Sequence, residues 1–413
     1  MISIRYPLIL QHLQKLDYGL LPIYMPDEDK FILIIKAPKE VILTARINNE
    51  IKVYLVDDNS TSASHVGLIT AFFDDHDEPL VIKTPLFKGD EMLRDISLVL
   101  AQNKFELYFF DEHNRELMGV NAINADFERF SSEISKASFV ELNRPEIWTV
   151  IKRLDDRFGM RDSNDDACAY TISLEERLYP DDLCITDIRN QFFGFNDSEQ
   201  SIAMVSLERE GDPGPMQERD IAIMMGRVFD SNGIYINPYR NDTNKELTDI
   251  LVVTDKNILF IQAKDSPNTE EILSRSIDRK RKTIRSHIKK ASDQLQGALT
   301  YARDNGCVVI KSADKPITIS LAERQLVGLV LVREMFDDDY PECSSPVLKV
   351  VRSLELPSVL LDYAGLHIMT QNLTSPMRFI NGLFNMLDVG LDNNAFPKPG
   401  WSGLPKRGIQ VNN

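Results

Sequence analysis

Apolar positions along the chain follow two patterns. Between residues 20 and 122 they come in short runs, LLPIYM, FILIIK, EVILTA, IKVYLV, GLITAFF, LVIK and FELYFF, separated by polar or turn-forming residues. That pattern predicts a mostly antiparallel sheet, with one helix over 90–102 placed before FELYFF. Residues 124–158 read as helical, ending after IWTVIKRLDDRF, and 165–208 are mixed and give no clear element. No internal repeat is visible.

Downstream of residue 210 the periodicity changes. Pro215 suits the first position of a helix, in which Ile221, Met224, Met225 and Val228 recur at helical spacing before Gly233 offers a stop. A strand GIYI follows, then two apolar runs, DILVVT and ILFIQAK, separated by a polar DKN turn. Next comes a long amphipathic helix in which Ile277, Ile284, Ile288, Ala291, Leu295, Ala298 and Ala302 step by three, four or seven, closing at Gly306. Two or three strands come after it, the clearest being LVGLVLV over 326–332. The predicted class is α/β (α+β): a helix, a three-strand meander, a long helix and further strands, preceded by a β-rich α+β module. The GDPGP stretch at 211–215 marks the joint, giving an N-terminal module over 1–205 with a sub-boundary near 123, a second domain over 206–390, and a Pro/Gly-rich tail over 391–413.

Composition narrows the class. With 413 residues, 43% hydrophobic and 27% charged, the chain has the makeup of a folded protein of two or three domains, not of a disordered or fibrous one. No apolar stretch is long enough for a membrane-spanning helix and no cleavable leader is visible, so the expected compartment is the cytoplasm, without a membrane partner. Cys168, Cys184, Cys307 and Cys343 form no metal-type or disulfide-type spacing and are expected to be free, buried thiols. A net charge of −16 repels polyanions over most of the surface. The exception is EILSRSIDRKRKTIRSHIKK, residues 271–290, where eight Lys or Arg face two acids.

The candidate chemistry lies in the hairpin of DILVVT and ILFIQAK. A two-residue turn at Lys256 and Asn257 sets Asp249 opposite Lys264 and Leu251 opposite Gln262, so Asp249, Gln262 and Lys264 share a face of an otherwise apolar hairpin. Glu218 lies three and seven residues before Ile221 and Met225, at the edge of the preceding helix's core-facing stripe. Buried charges must be paired, metal-bound or solvated in a cleft. The competing reading is an ordinary cross-strand ion pair between Asp249 and Lys264, with Gln262 at a solvated edge and Glu218 as a first-turn acid on the helix dipole.

Glu218, Asp249 and Gln262-Ala263-Lys264, in helix, strand, strand, strand, helix order, resemble the PD-(D/E)XK nuclease superfamily. The QAK form is similar to its Mrr-type restriction endonuclease branch, and the helix glutamate is similar to that of archaeal Holliday-junction resolvases. The resemblance covers roughly residues 210–335. It departs from the commonest pattern at Gln262, where most members place Glu or Asp, so one unit of ligand charge is missing. The resemblance implies a restriction-endonuclease-like core and a Mg2+-dependent (or Mn2+-dependent) endonuclease or exonuclease. Asp249, Gln262 and Glu218 would hold the metal, and Lys264 would act on the attacking water and the phosphate.

The basic stretch opens the helix after the QAK strand. Arg279, Lys280, Arg281, Lys282, Arg285, Lys289 and Lys290, with Gln294, are therefore the candidate nucleic-acid contacts, Lys290 and Gln294 being those expected to face the cleft. The acidic FDDHDEP (72–78) and FDDDY (336–340) read as turns. The expected activity is hydrolysis of phosphodiester bonds in DNA, in antiviral defence or restriction. Two alternatives stand beside it: a non-catalytic nucleic-acid- or protein-binding assembly protein that keeps the nuclease fold, and a repair or junction-resolving nuclease. A partner protein or a second copy would dock through the N-terminal module.

Overall fold

The computed structural model of the chain describes residues 1–57, 64–73, 79–139, 141, 150–154, 167–180, 185–187, 203–205, 214–264, 269–311, 315–336 and 338–399. The fold is mixed α/β and divides into two compact units, the first dominated by Met1–Ile185 and the second by Arg209–Pro267 and Asp278–Asn413. Asn268–Ile277 groups with the first unit. The GDPGP joint lies largely outside the described residues, as do 74–78 of FDDHDEP and the end of the tail. Among the described residues no helix is long and apolar enough to cross a membrane.

The first unit carries strands β1 (Gly19–Met25), β2 (Lys30–Lys36), β3 (Glu50–Asp57), β4 (Ser64–Phe72), β5 (Leu80–Pro85), β6 (Lys104–Phe110), β7 (Glu116–Asn124), β8 (Ser138–Phe139) and β9 (Tyr170–Arg177). Their order in one sheet is β1-β2-β6-β7-β9-β3-β4-β5, with β8 added to β4. Pairing is antiparallel except for β2 with β6 and β4 with β8. The sheet curls until its outer strands β1 and β5 approach each other. Around it lie α1 (Ile2–Arg5), α2 (Ile9–Leu13), α3 (Lys39–Asn48), α4 (Glu91–Leu100) and α5 (Phe127–Lys136). Buried polar groups fix the helices to the sheet. The Lys36 ammonium donates to the carbonyls of Leu13 and Leu16 at 2.8 and 2.6 Å, and the Glu116 carboxylate accepts from the Ile2 and Ser3 amides at 2.8 and 2.7 Å.

Three sequence expectations change here. EVILTA is not a strand but the body of α3, where Val41, Ile42, Leu43, Thr44 and Ala45 are all buried. A helix buried on nearly every side shows no polar stripe, so a short apolar run in it has the pattern of a strand. The helix expected over 124–158 breaks at Lys136 and enters β8, with helix again at 150–154. Among the described cysteines only Cys343 is buried; Cys168 is exposed before β9, Cys307 is half-buried at a strand start, and Cys184 lies outside the described residues.

After a two-strand ladder of β10 (Ile185–Asp187) and β11 (Ala203–Val205), the second unit is built from α6 (Gly214–Met225), β12 (Ile234–Ile236), β13 (Ile250–Val253), β14 (Asn257–Lys264) and α7 (Ile277–Asn305). It continues with β15 (Cys307–Ile310), β16 (Ile317–Ser320), β17 (Gln325–Val332), α8 (Tyr340–Leu354), β18 (Ser358–Asp362), α9 (Tyr363–Asn372) and α10 (Pro376–Asn393). The main sheet runs β12-β13-β14-β17-β18. Its first three strands form an antiparallel meander, and β17 and β18 run parallel to β14. Strands β14, β17 and β18 are almost wholly buried, as expected where both faces of parallel strands are covered. Helix α7 buries Ile284, Ile288, Ala291, Leu295, Ala298, Leu299 and Ala302. It comes so close to β17 that a Cβ at Gly328 would lie 2.8 Å from Leu295. Gly306, at φ +63°, ends α7 in the left-handed conformation that favours glycine.

Candidate active site

The hairpin register differs from the sequence expectation by two residues. Ile250 pairs with Ile261 and Leu251 with Phe260, so the two turn residues are Asp255 and Lys256, not Lys256 and Asn257. Thr254 sets this turn. Its hydroxyl accepts from the Asn257 amide at 2.9 Å and from the Lys256 amide at 3.3 Å, and its own amide donates to the Asn257 carbonyl at 2.9 Å. Asp249 therefore stands opposite Gln262, and Lys264 lies one step further along the same face. A two-residue slip keeps side-chain parity, and all three groups still project together.

Asp249 is the hub of this cluster. It is 5% exposed and Gln262 is 2% exposed. Its Oδ1 accepts from Gln262 Nε2 at 2.6 Å, its Oδ2 accepts from the Ala263 amide at 2.5 Å, and the Lys264 ammonium lies 3.7 Å from Oδ2. Thr248 pins the approach by donating to the Ile261 carbonyl at 2.7 Å. Asn237, just past β12 at φ +47°, donates its backbone amide to the Asp249 carbonyl at 2.8 Å and its side-chain Nδ2 to Glu218 Oε2 at 2.6 Å. Glu218 on α6 is thereby tied to the hairpin through one asparagine, whose Oδ1 is buried without a hydrogen-bond partner.

Glu246 completes the group and was not singled out in the sequence. It closes a small hairpin over 239–246, bridged by Tyr239 and Glu246, whose first arm docks on β15 through Arg240 and Ile310. Burial, a hydrogen bond to Asp249 and the negative charges of Asp249 and Glu218 push the Glu246 carboxyl up to about 7, against the opposing pull of Lys264. Three carboxylates thus converge with one ammonium. The sequence signal was faint: an acid three residues before Asp249 in a polar stretch without periodicity, NPYRNDTNKELTD.

The basic stretch separates into parts. Arg281 pairs with Asp338 at 2.9 Å and stacks on Phe336, and Arg285 Nε donates to both Asp339 oxygens at 2.9 Å. Lys280 is buried. Two of these three are thus paired with the FDDDY acids, Arg281 half-buried and Arg285 still exposed to solvent. Arg279, Lys282, Lys289, Lys290 and Gln294 are exposed. Ser286, Lys289, Lys290, Asp293 and Gln294 line a shallow groove of about 430 Å³.

His287 is half-buried on α7. Burial first, then the charges of Lys264, Lys290 and Arg333, hold its pKa below the ordinary imidazole value, so the ring is neutral at pH 7. Arg333 follows β17 directly and is ion-paired with Glu334. Lys264 and Val332 are register partners, so Lys264 and Arg333 mark the carboxyl ends of adjacent parallel strands, the edge at which α/β sheets place ligands. No family model matches the chain, and no curated protein matches it.

Proposed function

We propose that the second unit is a metal-dependent phosphodiesterase acting on DNA, with a restriction-endonuclease-like core of the PD-(D/E)XK kind. The observation that carries this reading is the convergence of Asp249, Gln262 and Lys264 on one face of the β13/β14 hairpin, with Glu218 and Glu246 beside them. It is supported by the order of helix, antiparallel meander, long helix and parallel strands around that hairpin.

The donor set suits a hard divalent cation. Every candidate ligand is oxygen: the carboxylates of Asp249, Glu218 and Glu246, and the amide oxygen of Gln262. Burial first, then the hydrogen bond to Asp249 and the charges of Asp249 and Glu218, raise the Glu246 carboxyl against the pull of Lys264, so three carboxylates stand close to a single ammonium. Mg2+ or Mn2+ bound there would polarise the scissile phosphate and lower the pKa of bound water. Lys264, 3.7 Å from Asp249, offsets charge developing on the phosphate oxygens and orients the attacking water. Asn237 and the Ala263 amide hold Glu218 and Asp249 in place. Exposed cations of α7 bind the sugar–phosphate backbone without reading sequence.

The test is cleavage of linear, circular, branched and single-stranded DNA by the purified chain, with RNA alongside, in Mg2+, Mn2+ or chelator. Metal-dependent cutting that is lost in Asp249→Ala supports the reading, and substrate shape separates a restriction-type enzyme of cytoplasmic defence from a junction-resolving one. A second reading, a binding or assembly protein built on the same fold, is favoured by one contact: Gln262 Nε2 already occupies Asp249 Oδ1. Full DNA binding with no cleavage in any metal would select it.

A further inference from the structure

Helix α10 carries apolar side chains on two sides. Phe379, Leu383 and Met386 are buried, as expected for a helix that packs on β18, α8 and α9. A second set faces solvent. Met377 is 71% exposed, Leu391 is 39% exposed, and Phe384 between them is half-buried. Single exposed apolar side chains are ordinary on a protein surface. These three, however, fall seven residues apart, and the exposed Asn381 and Asp388 stand between them, so the five positions step by four, three, four and three. That spacing averages 3.5 residues, the repeat of a seam between two packed helices. The seam runs about 21 Å along the helix.

The polar members of this face are not taken up inside the chain. Among the described residues, the side chains of Asn381 and Asp388 make no hydrogen bond or ion pair, and neither do those of the exposed Arg378 and Asp392. Arg378 lies ten residues, about 15 Å, from Asp388 on one helix, so the two cannot meet within a single copy. A second α10 laid antiparallel, with Phe384 on the twofold axis, matches all of these groups. Met377 then packs on the partner's Leu391, Phe384 meets its own symmetry mate, and Asn381 comes opposite the partner's Asp388, to which its amide donates. Arg378 falls level with the gap between the partner's Asp388 and the partner's Asp392, on the same flank of the seam. A parallel pair would instead set Asp388 against Asp388 and Arg378 against Arg378.

We propose that the exposed face of α10 is a self-association surface, on which two copies of this chain pair antiparallel about Phe384. The occupant is a second copy because the stripe is complementary to itself in both its apolar and its charged positions, the property of a twofold interface. A seam this short covers less than the ~800 Å² per partner of a standard interface, so the dimer is concentration-dependent rather than permanent. The inference does not depend on the nuclease reading. It puts the second copy on the second unit instead of on the N-terminal module.

Analytical ultracentrifugation of the full chain from about 1 to 300 μM tests it, and the wild type should pass from monomer toward dimer across that range. Met377→Glu puts a charge at an exposed position, so the melting temperature should hold while dimerisation weakens about tenfold or more. Charge reversal tests the orientation. Arg378→Asp in one protein, and Asp388→Lys with Asp392→Lys in another, should each stay monomeric, because like charges then meet at both ends of the seam. Mixed in equal amounts the two proteins should dimerise again, since opposite charges meet at both ends of the mixed pair. A full chain that stays monomeric throughout gives the stripe to another occupant and overturns the proposal. So does a dimer that Met377→Glu leaves intact, or a mixture of the two charge-reversed proteins that remains monomeric.

Discussion

Glu246→Gln tests the electrostatics of the candidate site without requiring any substrate. The carboxyl rises from 4.5 to about 7 in the folded chain, chiefly through burial and the hydrogen bond to Asp249. A folded-state value above the unfolded one means that the native state binds the extra proton between about pH 4.5 and 7, so stability falls as pH rises through that window. The full shift corresponds to about 3 kcal/mol. Solvent still reaches Glu246 at the hairpin edge, so about 1–2 kcal/mol of it is expected to register. Glutamine keeps a donor toward Asp249 and does not titrate. In chelator at pH 8 Glu246→Gln should therefore melt about 2–8 °C above wild type, at about 2–4 °C per kcal/mol for a unit of this size, and the two should converge near pH 5. Calorimetric melting at both pH values measures it. Parallel curves for the two proteins would show that Glu246 and Asp249 share no proton and that the carboxylates do not converge.

Lys264→Ala should abolish metal-dependent cleavage while DNA affinity falls by no more than one phosphate contact, measured by plasmid nicking and anisotropy; equal cutting by variant and wild type would remove Lys264 from catalysis. Arg285→Ala strands the buried Asp339 carboxylate and should cost about 2 kcal/mol, whereas Asp339→Asn leaves a half-exposed arginine to water and should cost about half of that, read as melting shifts; equal losses would contradict the burial asymmetry. Burial and the neighbouring Asp339 push the Cys343 thiol up to about 12, so it should resist alkylation at pH 8 until the chain is denatured, while exposed Cys168 reacts at once; peptide mapping after maleimide treatment checks both.

The second unit was the more legible half because its elements are long and strongly periodic. The stripe from Ile277 to Ala302 gave α7 almost to the residue, and LVGLVLV gave β17. Alternation alone put Asp249, Gln262 and Lys264 on one face, and that survived a wrong register because the error was an even number of residues. The register itself was not legible. It depends on a threonine hydroxyl closing the turn, an interaction with no hydrophobic signature. Glu246 and Asn237 were missed for a related reason, since their approach to Asp249 comes from a hairpin that docks on β15, which lies beyond α7 in the chain. In the first unit, α3 shows the opposite failure: burial on nearly all sides erased the polar stripe that identifies a helix.

Charge allocation ties these observations together. Read as a linear run, residues 271–290 are a polyanion-binding stretch, and the acids at 338 and 339 are a polar turn. In the fold two of the arginines and both acids neutralise one another across 54 to 57 positions of sequence. Asp362, at the end of β18, is likewise committed, capping α9 through the Gly365 amide at 2.6 Å. Charges with a nearby partner of fixed geometry serve the fold. The balance is least even at one place, where three carboxylates share one ammonium on the β13/β14 hairpin. Carboxylates in excess of the one ammonium among them, with lysines on the adjoining helix, suit one kind of ligand, a divalent metal carrying a phosphate, and this combination is a stronger argument for the site than any single residue in it.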